Sequence, residues 1–337
     1  MQVNAKATIV DIASKANVST ATVDRVLNGR PGVHPRTQRH VLGIAASLGY
    51  IDAIDEGRIR FDVILPGADN VFMNAFAGAL EAEAAAMGGI ALRLHMLPDY
   101  APERLVAKLA ELRAITSGFG IIALDQLLVR EALIETLHAG VPLITIASDV
   151  SSVPHQGFVG ADDRRGGRLA GQLIGRFLGG GKKRVALFTG SLAYRGHEER
   201  EMGFRHIMAE EFSGYELLTA REVQEDDRTA EAAIRELVAS GMQFDGVYSI
   251  GSGTIGIARA LEDLGLARQV VFVAHELHPQ SRQFLISGTI DAIIDQNIST
   301  LARSSLERLS AAAAGGMLPP TMPLDCRIIL KENIPLR

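Results

Sequence analysis

Within the first fifty residues apolar positions recur at helical spacing three times. Ile9, Ile12, Ala13 and Ala16 fall at i, i+3, i+4 and i+7, behind Thr8, which with Asp11 three residues on makes a capping box. Asn17-Val18 reads as a tight turn. Ser19 then caps a second short helix with Val23, Val26 and Leu27 on its inward face and Asn28-Gly29 as its stop. Pro35 suits the first position of a third helix, along which Val41, Ile44, Ala45 and Leu48 repeat before Gly49 ends it. The pattern predicts an all-α unit over residues 1–50: two short helices joined by a turn, closed into a small core by the third.

From residue 61 the pattern changes to short apolar runs alternating with Ala- and Leu-rich helical stretches. Runs at 61–66, 91–97, 120–124 and 142–147 predict one parallel sheet wound with right-handed crossovers. A second set follows at 158–161, 184–189, more weakly at 216–222, then 246–250 and 270–274. Two similar halves in series predict two doubly wound lobes. Further strands at 289–296 and 324–330, with a helix over 299–314 between them, are expected to cross back between the lobes. The expected division is a headpiece at 1–50, a linker at 51–60 and a two-lobe domain at 61–337. Lobe 1 takes about 61–156 and 296–323, and lobe 2 about 157–295 and 324–337.

Charge separates the headpiece from the rest. Residues 1–50 carry six Lys or Arg against two acids, whereas the whole chain has a formal charge of −5. The basic end is the polyanion-facing end. Thr20, Ala21, Thr22 and Arg25 lie off the inward face of the second helix, and small residues there let a helix seat between the phosphate ridges of a DNA major groove. Arg30, His34, Arg36, Thr37 and Arg39 crowd the start of the third helix, where free amides and cations hold phosphate.

Composition bounds the remainder. At 47% hydrophobic residues the chain suits a large buried core, and its single cysteine excludes an internal disulfide and a cysteine metal cluster. The N-terminus has charged residues where a signal peptide needs an apolar run, and no stretch reaches the apolar length of a membrane span, so a cytoplasmic protein is expected.

Parallel sheets bind ligands beyond the carboxyl ends of their strands, and two facing lobes make a cleft lined by those loops. Here the loops are polar. They carry Asn70 and Phe72, then Asp125, then Asp149, then Tyr194 running on to Arg200, then Gly251-Ser252-Gly253-Thr254, His275-Glu276 and finally Gln296. Carboxylates, amides and an arginine beside aromatics suit a polyhydroxylated solute, with polar partners for hydroxyls and an apolar face for ring carbons. Asp162 and Asp163 precede a helix and read as caps, and Arg200 has Glu198 and Glu199 as possible local partners. His197 reads as an exposed loop histidine.

The run Ile9, Val18-Ser19, Thr22-Val23, Arg25-Val26-Leu27-Asn28, Thr37 and Leu48-Gly49-Tyr50 resembles the DNA-binding domain of the lactose-repressor (LacI) family of bacterial transcription regulators. The resemblance implies that Thr20, Ala21 and Arg25 sit where the family reads base edges. Thr8, Ser19, Thr22, Asn28 and Thr37 then sit where it holds the DNA backbone. Asp24 stands where the family usually has serine. A carboxylate at a groove is repelled by phosphate unless it accepts from a cytosine amino group or pairs with an arginine, so Asp24 is either a specificity residue or turned away.

The resemblance continues into the family's effector domain, which is similar to periplasmic sugar-binding proteins, through Val159-Gly160-Ala161-Asp162-Asp163, Gly167-Arg168-Leu169-Ala170, Arg200-Glu201-Met202-Gly203-Phe204-Arg205 and Gly256-Ile257-Ala258-Arg259-Ala260-Leu261. By position it implies effector contacts at Asp149, Arg200 and Gln296, with Asn70, Phe72, Asp125, His275 and Glu276 in the matching loops. It departs at Gly251-Ser252-Gly253-Thr254, where many members have Asn-Asp, and at His275-Glu276, where many have an aspartate. The implied protein is a homodimeric regulator of operator DNA, a repressor, whose affinity a sugar or polyol effector modulates, with no cofactor and no catalysis.

The linker departs most. The family usually follows its tyrosine with Pro-Asn and an Ala-Arg-x-x-Leu run that folds as a hinge helix on DNA. Here three carboxylates, Asp52, Asp55 and Glu56, would face phosphate, and Gly57 weakens any helix. Ile54 is the candidate wedge. Weaker hinge docking is expected.

An alternative class is a nucleotide-cofactor-binding α/β enzyme with an accessory helical domain. Gly179-Gly180-Gly181-Lys182-Lys183 lacks the Walker spacing and is expected to leave one helix and enter another. Gly251-Ser252-Gly253-Thr254-Ile255-Gly256 does match Gly-x-Gly-x-x-Gly after a strand, but the acidic residue that should follow arrives late, at Glu276. No nucleophile, base and orienter cluster by sequence, and no metal-ligand spacing occurs.

Overall fold

In the computed structural model of the chain, the described residues are 7–27, 30, 32–48, 50, 58–67, 70–315, 318 and 323–335. Asn28 and most of the linker, 51–57, lie outside them, so the expectations for Asn28 and for the hinge do too.

The headpiece follows from its capping chemistry. Helix α1 (Ile9–Ala16) opens on the Thr8–Asp11 capping box and closes on Asn17, whose φ of 54° is left-handed and whose amide returns to the Ala13 and Ser14 carbonyls. Asparagine tolerates that conformation, and the chain reverses there. In α2 (Thr20–Leu27), Ser19 Oγ accepts from the Thr22 amide at 3.1 Å. Helix α3 (Pro35–Ser47) lies across both, and Ile12, Ala13, Ala16, Val23, Val26, Val41 and Ala45 form the shared core. Val18, Val33 and Leu42 join it from positions outside the predicted stripes.

The first sheet is laid down by β1 (Ile59–Leu65), α4 (Val71–Met87), β2 (Ile90–Met96), α5 (Pro102–Leu112), β3 (Gly118–Ile121), α6 (Leu127–His138), β4 (Leu143–Ile146) and β5 (Phe158–Val159). Its order is β2-β1-β3-β4-β5, all parallel. Phe61 and Val63 pack on one face toward α4, while Ile64, Phe119 and Ile121 pack on the other toward α5 and α6.

The second sheet begins after α7 (Asp163–Leu178). It contains β6 (Lys183–Thr189), β7 (Tyr215–Leu217), β8 (Arg221–Glu222), β9 (Gly246–Ser249), β10 (Val271–His275), β11 (Ala292–Asp295) and β12 (Arg327–Ile329). Helices α8 (Arg195–Glu211), α9 (Asp227–Ala239), α10 (Thr254–Asp263) and α11 (Pro279–Ser287) connect them. The order is β12-β11-β10-β9-β6-β7, with β8 also on β6 and only β12 antiparallel. The expected strand at 216–222 is thus two short strands on one edge.

Three placements correct the sequence reading. The run at 158–161 belongs to the first sheet, where Thr145 and Ile146 pair with Phe158 and Val159. An irregular segment that buries Val150 and Val153 replaces the helical crossover there, so periodicity gave no sign of it. The strands at 289–296 and 324–330 do not themselves cross between sheets, because β11 and β12 both lie in the second. The crossing is made by the chain around α12 (Ile298–Ala313), which packs Leu301, Ala302, Leu306 and Leu309 onto the first sheet and pairs Arg303 with Glu83 at 2.9 Å. The triple glycine after α7 enters β6 rather than a helix, since the apolar run Val185-Ala186-Leu187-Phe188 is buried on both faces as an inner strand requires.

Among the described residues no helix is long and apolar enough to cross a membrane, and no group of three or more His, Cys, Asp or Glu is placed to hold a metal ion.

Candidate effector cleft and nucleic-acid interface

In the headpiece, the polar positions of α2 are held outward by the burial of Val23 and Val26. Thr20, Ala21 and Arg25 are exposed, Thr22 and Asp24 half-buried. Thr8, Ser19, Arg30 and Arg36 are exposed around them, and Thr37 is half-buried. Ser19 and Thr22 hydroxyls also bond to each other at 2.9 Å. Asp24 pairs with Arg30 at 2.9 Å. Of its two routes to tolerance near phosphate, pairing with arginine is the one seen. Arg30 is largely exposed and Asp24 partly so, so the pair is worth at most about 1 kcal/mol and separates readily.

The carboxyl ends of the two sheets meet across a cavity of about 70 Å³, adjoined by a second of about 90 Å³ that shares Asn70, Phe72, Glu225, Gly251, Ser252 and Glu276. Segments after β1, β3 and β4 supply one wall and those after β6, β8, β9, β10 and β11 the other. Hydrogen bonds span the walls: Asn70 Nδ2 donates to Ser252 Oγ at 3.0 Å, the Gly196 amide to Ser148 Oγ at 3.2 Å and the Asp125 amide to the Ala193 carbonyl at 2.9 Å. Asn70 earns its position as the N-cap of α4, its Oδ1 accepting from the Met73 amide, which points Nδ2 across the cleft.

Arg200 is the electrostatic centre. Its side chain is 8% exposed; Nε donates to Asp163 Oδ1 at 2.7 Å and NH1 to the Ile250 carbonyl at 3.0 Å, and NH2 lies 3.6 Å from Glu276 Oε1. Asp163 therefore corrects the cap reading. Asp162 alone is the N-cap of α7, and Asp163 turns inward to Arg200 in place of the local glutamates. Burial pushes the Asp163 carboxyl up, with Arg200 opposing. Burial alone would lower Arg200, but the Asp163 and Glu276 charges outweigh it and hold the guanidinium above its ordinary range.

Glu276 Oε1 accepts from Gln296 Nε2 at 2.7 Å. Burial raises Glu276 to about 7, with Arg200 opposing and the Asp295 charge assisting. A carboxyl that is harder to ionise in the fold than in the unfolded chain stabilises the fold at low pH and loses that contribution as pH rises through its folded value. The loss should run from pH 4.5 to about 7. Thermal melting across that window should show a falling component that Glu276→Gln removes, and an unaltered slope in the variant would assign it elsewhere.

Tyr194 is buried at the mouth of α8, edge-on to Tyr100 and His197, its hydroxyl pushed up by burial. His197 is not an exposed loop residue. It sits in the first turn of α8 with Nδ1 2.9 Å from the Ser191 carbonyl oxygen, and burial lowers its pKa. His275 reaches only the second cavity; its Nε2 is hydrogen-bonded to Tyr248 Oη at 2.9 Å, and burial holds it well below the usual histidine value.

Of the sequence-predicted effector residues, Asn70, Phe72, Tyr194, Arg200, Glu276 and Gln296 line the main cavity. Asp125 and Asp149 are not among its described lining residues. Asp125 is tied to Arg130 at 2.6 Å and accepts from the Ser151 amide, while Asp149 holds Thr145, the Val150 amide and His155. Both organise loops behind the wall. Met73 and Ser148 stand in the loops that the strand ends pick out, after Phe72 and before Asp149, but are not among the chosen residues; Glu225, after a weak edge strand, is missed altogether. A backbone signal does mark the site: Ala147, Glu225 and Glu276 all have positive φ, at 58°, 61° and 67°. Left-handed conformations of such residues cluster where a structure stores strain for function.

The glycines of Gly251-Ser252-Gly253-Thr254-Ile255-Gly256 have packing reasons. Gly253 has φ 97°, and a Cβ on Gly256 would lie 1.8 Å from the Asp227 carbonyl oxygen where α10 meets α9.

Comparison with known proteins adds two family matches, "Bacterial regulatory proteins, lacI family" over residues 8–52 and "Periplasmic binding protein domain" over 61–317. The chain is 27% identical over 219 residues to the HTH-type transcriptional regulator DegA of Bacillus subtilis, covering 61% of each. It is 40% identical over 80 residues to catabolite control protein A of Priestia megaterium, 22% of this chain and 24% of that one. These matches span less than two thirds of either relative. Among solved structures it is similar to GanP, a glucose-galactose binding protein from Geobacillus stearothermophilus, with TM-score 0.76 at 20% identity over 83% of this chain and 99% of that one. A solute binding protein of Bacillus halodurans with bound myo-inositol gives TM-score 0.75 at 19% identity over 83% and 96%. At this identity the likeness speaks for the fold.

Proposed function

This chain belongs to the lacI family of bacterial regulatory proteins, and we propose that it is a DNA-binding transcription regulator, a repressor, whose operator affinity is set by a sugar or polyol in the cleft between its two sheets. The observation that carries the reading is the join of two devices in one chain: an exposed second helix on a cationic headpiece at one end, and a polar, aromatic-walled cavity bridged by hydrogen bonds between two sheets at the other. Two headpieces of a homodimer would address two half-sites, and closure of the cleft would alter their spacing. A protein acting on operator DNA works in the cytoplasm. The named functions of the relatives and the sugars bound by proteins of like fold support the reading. It is a reading of binding, without catalysis: packing accounts for the glycines that could suggest a nucleotide loop.

Selection of preferred duplexes followed by titration tests it. Arg25→Ala should weaken the selected duplex by about 1–3 kcal/mol while moving nonspecific binding little. Effector and DNA must shift each other's affinity by one common factor, typically about 1–3 kcal/mol of coupling. Absence of any salt-sensitive duplex preference in the parent protein would end the proposal.

A further inference from the structure

We propose that the cleft is built for a hydroxyl-rich ligand bearing a protonated amine, an amino sugar or amino polyol, with the ammonium held by Glu225 and Glu276. The proposal rests on the reading of the cleft as a polyol effector site and narrows it.

Among the described residues lining the main cavity, Tyr194 Oη, Glu225 Oε1, Glu276 Oε2 and Gln296 Oε1 are buried without a hydrogen-bond partner. Three of these are carboxylate or amide oxygens, which accept. Residues Tyr194 and Gln296 are 4% and 5% exposed and the Glu225 side chain is 7% exposed, so water cannot freely satisfy them. A buried acceptor left unpaired is costly, and native structures keep few.

The cationic and amide donors, by contrast, are mostly turned to the protein, with Arg200 NH2 left 3.6 Å from Glu276 Oε1. Arg200 gives Nε to Asp163 and NH1 to the Ile250 carbonyl, and Asn70 Nδ2 is shared between Tyr100 and Ser252. His197 and His275 are held toward the neutral form by burial. A neutral sugar hydroxyl brings one donor and two acceptor sites, and in this wall its lone pairs would go short. An ammonium brings three donors and no acceptor.

Charge points the same way. Two carboxyls, Glu225 and Glu276, line the cavity with one arginine whose charge Asp163 already pairs, so the cleft repels phosphorylated or acidic sugars and attracts a cation. Glu276, raised to about 7, takes up a proton when nothing else neutralises it, and a bound ammonium supplies that neutralisation. The carboxylates are placed with deliberate backbone geometry. Both sit on left-handed residues, and Gly190 leaves space for Glu225, since a Cβ there would lie 1.7 Å from Oε1. Phe72 and Met73 supply the apolar face for ring carbons.

Calorimetric titration of the full chain tests the proposal with D-glucosamine, D-galactosamine and D-mannosamine, their neutral parent hexoses and their N-acetyl derivatives. At least one amino sugar should bind about tenfold or more tighter than both its parent and its N-acetyl form, the size expected of charge-assisted hydrogen bonds. Glu225→Gln should shrink that margin to less than about threefold, with its melting transition recorded alongside; where the variant does not fold, the parent protein's ligand series decides. A neutral hexose that binds as well as its amine overturns the proposal and leaves the polyol reading standing. If no member of either class binds, the polyol reading falls and the proposal with it.

Discussion

Replacing Arg200 by alanine is expected to cost about 3–5 kcal/mol of folding free energy, far more than a ligand contact on a pre-formed wall would. The guanidinium is 8% exposed and spends its donors on Asp163 and the Ile250 carbonyl, with Glu276 at 3.6 Å. Its removal leaves two buried carboxyls without their counter-charge and a carbonyl without its donor. Desolvated charges of this kind are tolerable as pairs and costly alone, because the Coulomb attraction that offsets their loss of hydration disappears with the partner. Urea denaturation should therefore show a large drop in midpoint for Arg200→Ala. The double variant Arg200→Met with Asp163→Leu should recover most of it, since it removes the buried charges together. A single variant as stable as the parent would mean that Arg200 is not the keystone of this wall. Loss of effector response in that variant would then follow from the structure, because the cleft would fail as a structure before it failed as a contact.

The elements of this fold were legible because each rests on a local rule. Capping, helical spacing and the asparagine turn located the headpiece helices, since Ile12, Val23, Val41 and their neighbours have no burial other than one another. Alternating apolar runs located the inner strands. The sheet to which the strand Phe158–Val159 belongs was not legible, because register is set by contacts with β4 and by an irregular segment with no period of its own. The site divides the same way. Strand ends told which loops reach the cleft, but not which side chains turn into it. Asp149 and Asp125 occupy loops as promising as that of Glu276, yet their backbones aim them at Thr145, His155 and Arg130. Asp163 stands next to a true cap and reads as one. Its inward turn depends on α8, thirty-odd residues away in the chain, and no local rule carries that information.

That dependence can be traced to two glycines, and it sets the second large effect. Helices α7 and α8 cross closely enough that a Cβ on Gly167 would lie 1.9 Å from the Arg200 carbonyl oxygen, and one on Gly203 2.0 Å from the Arg164 carbonyl oxygen. Both obstacles are backbone, so no rotamer can relieve the overlap, and the helices must separate. Separation would also draw Asp163, at the start of α7, away from Arg200 on α8, and loosen the ion pair at 2.7 Å. Gly167→Ala is expected to destabilise the protein by about 1–3 kcal/mol from overpacking, with a further loss as the buried pair is strained. Gly78 supplies the control. It is exposed on α4 with nothing within 4 Å of a Cβ, so Gly78→Ala should stabilise by about 0.5–1 kcal/mol through helix propensity. Melting curves for the two variants should move in opposite directions. Should Gly167→Ala melt with the parent, the close crossing of α7 and α8 would not be what holds Asp163 against Arg200.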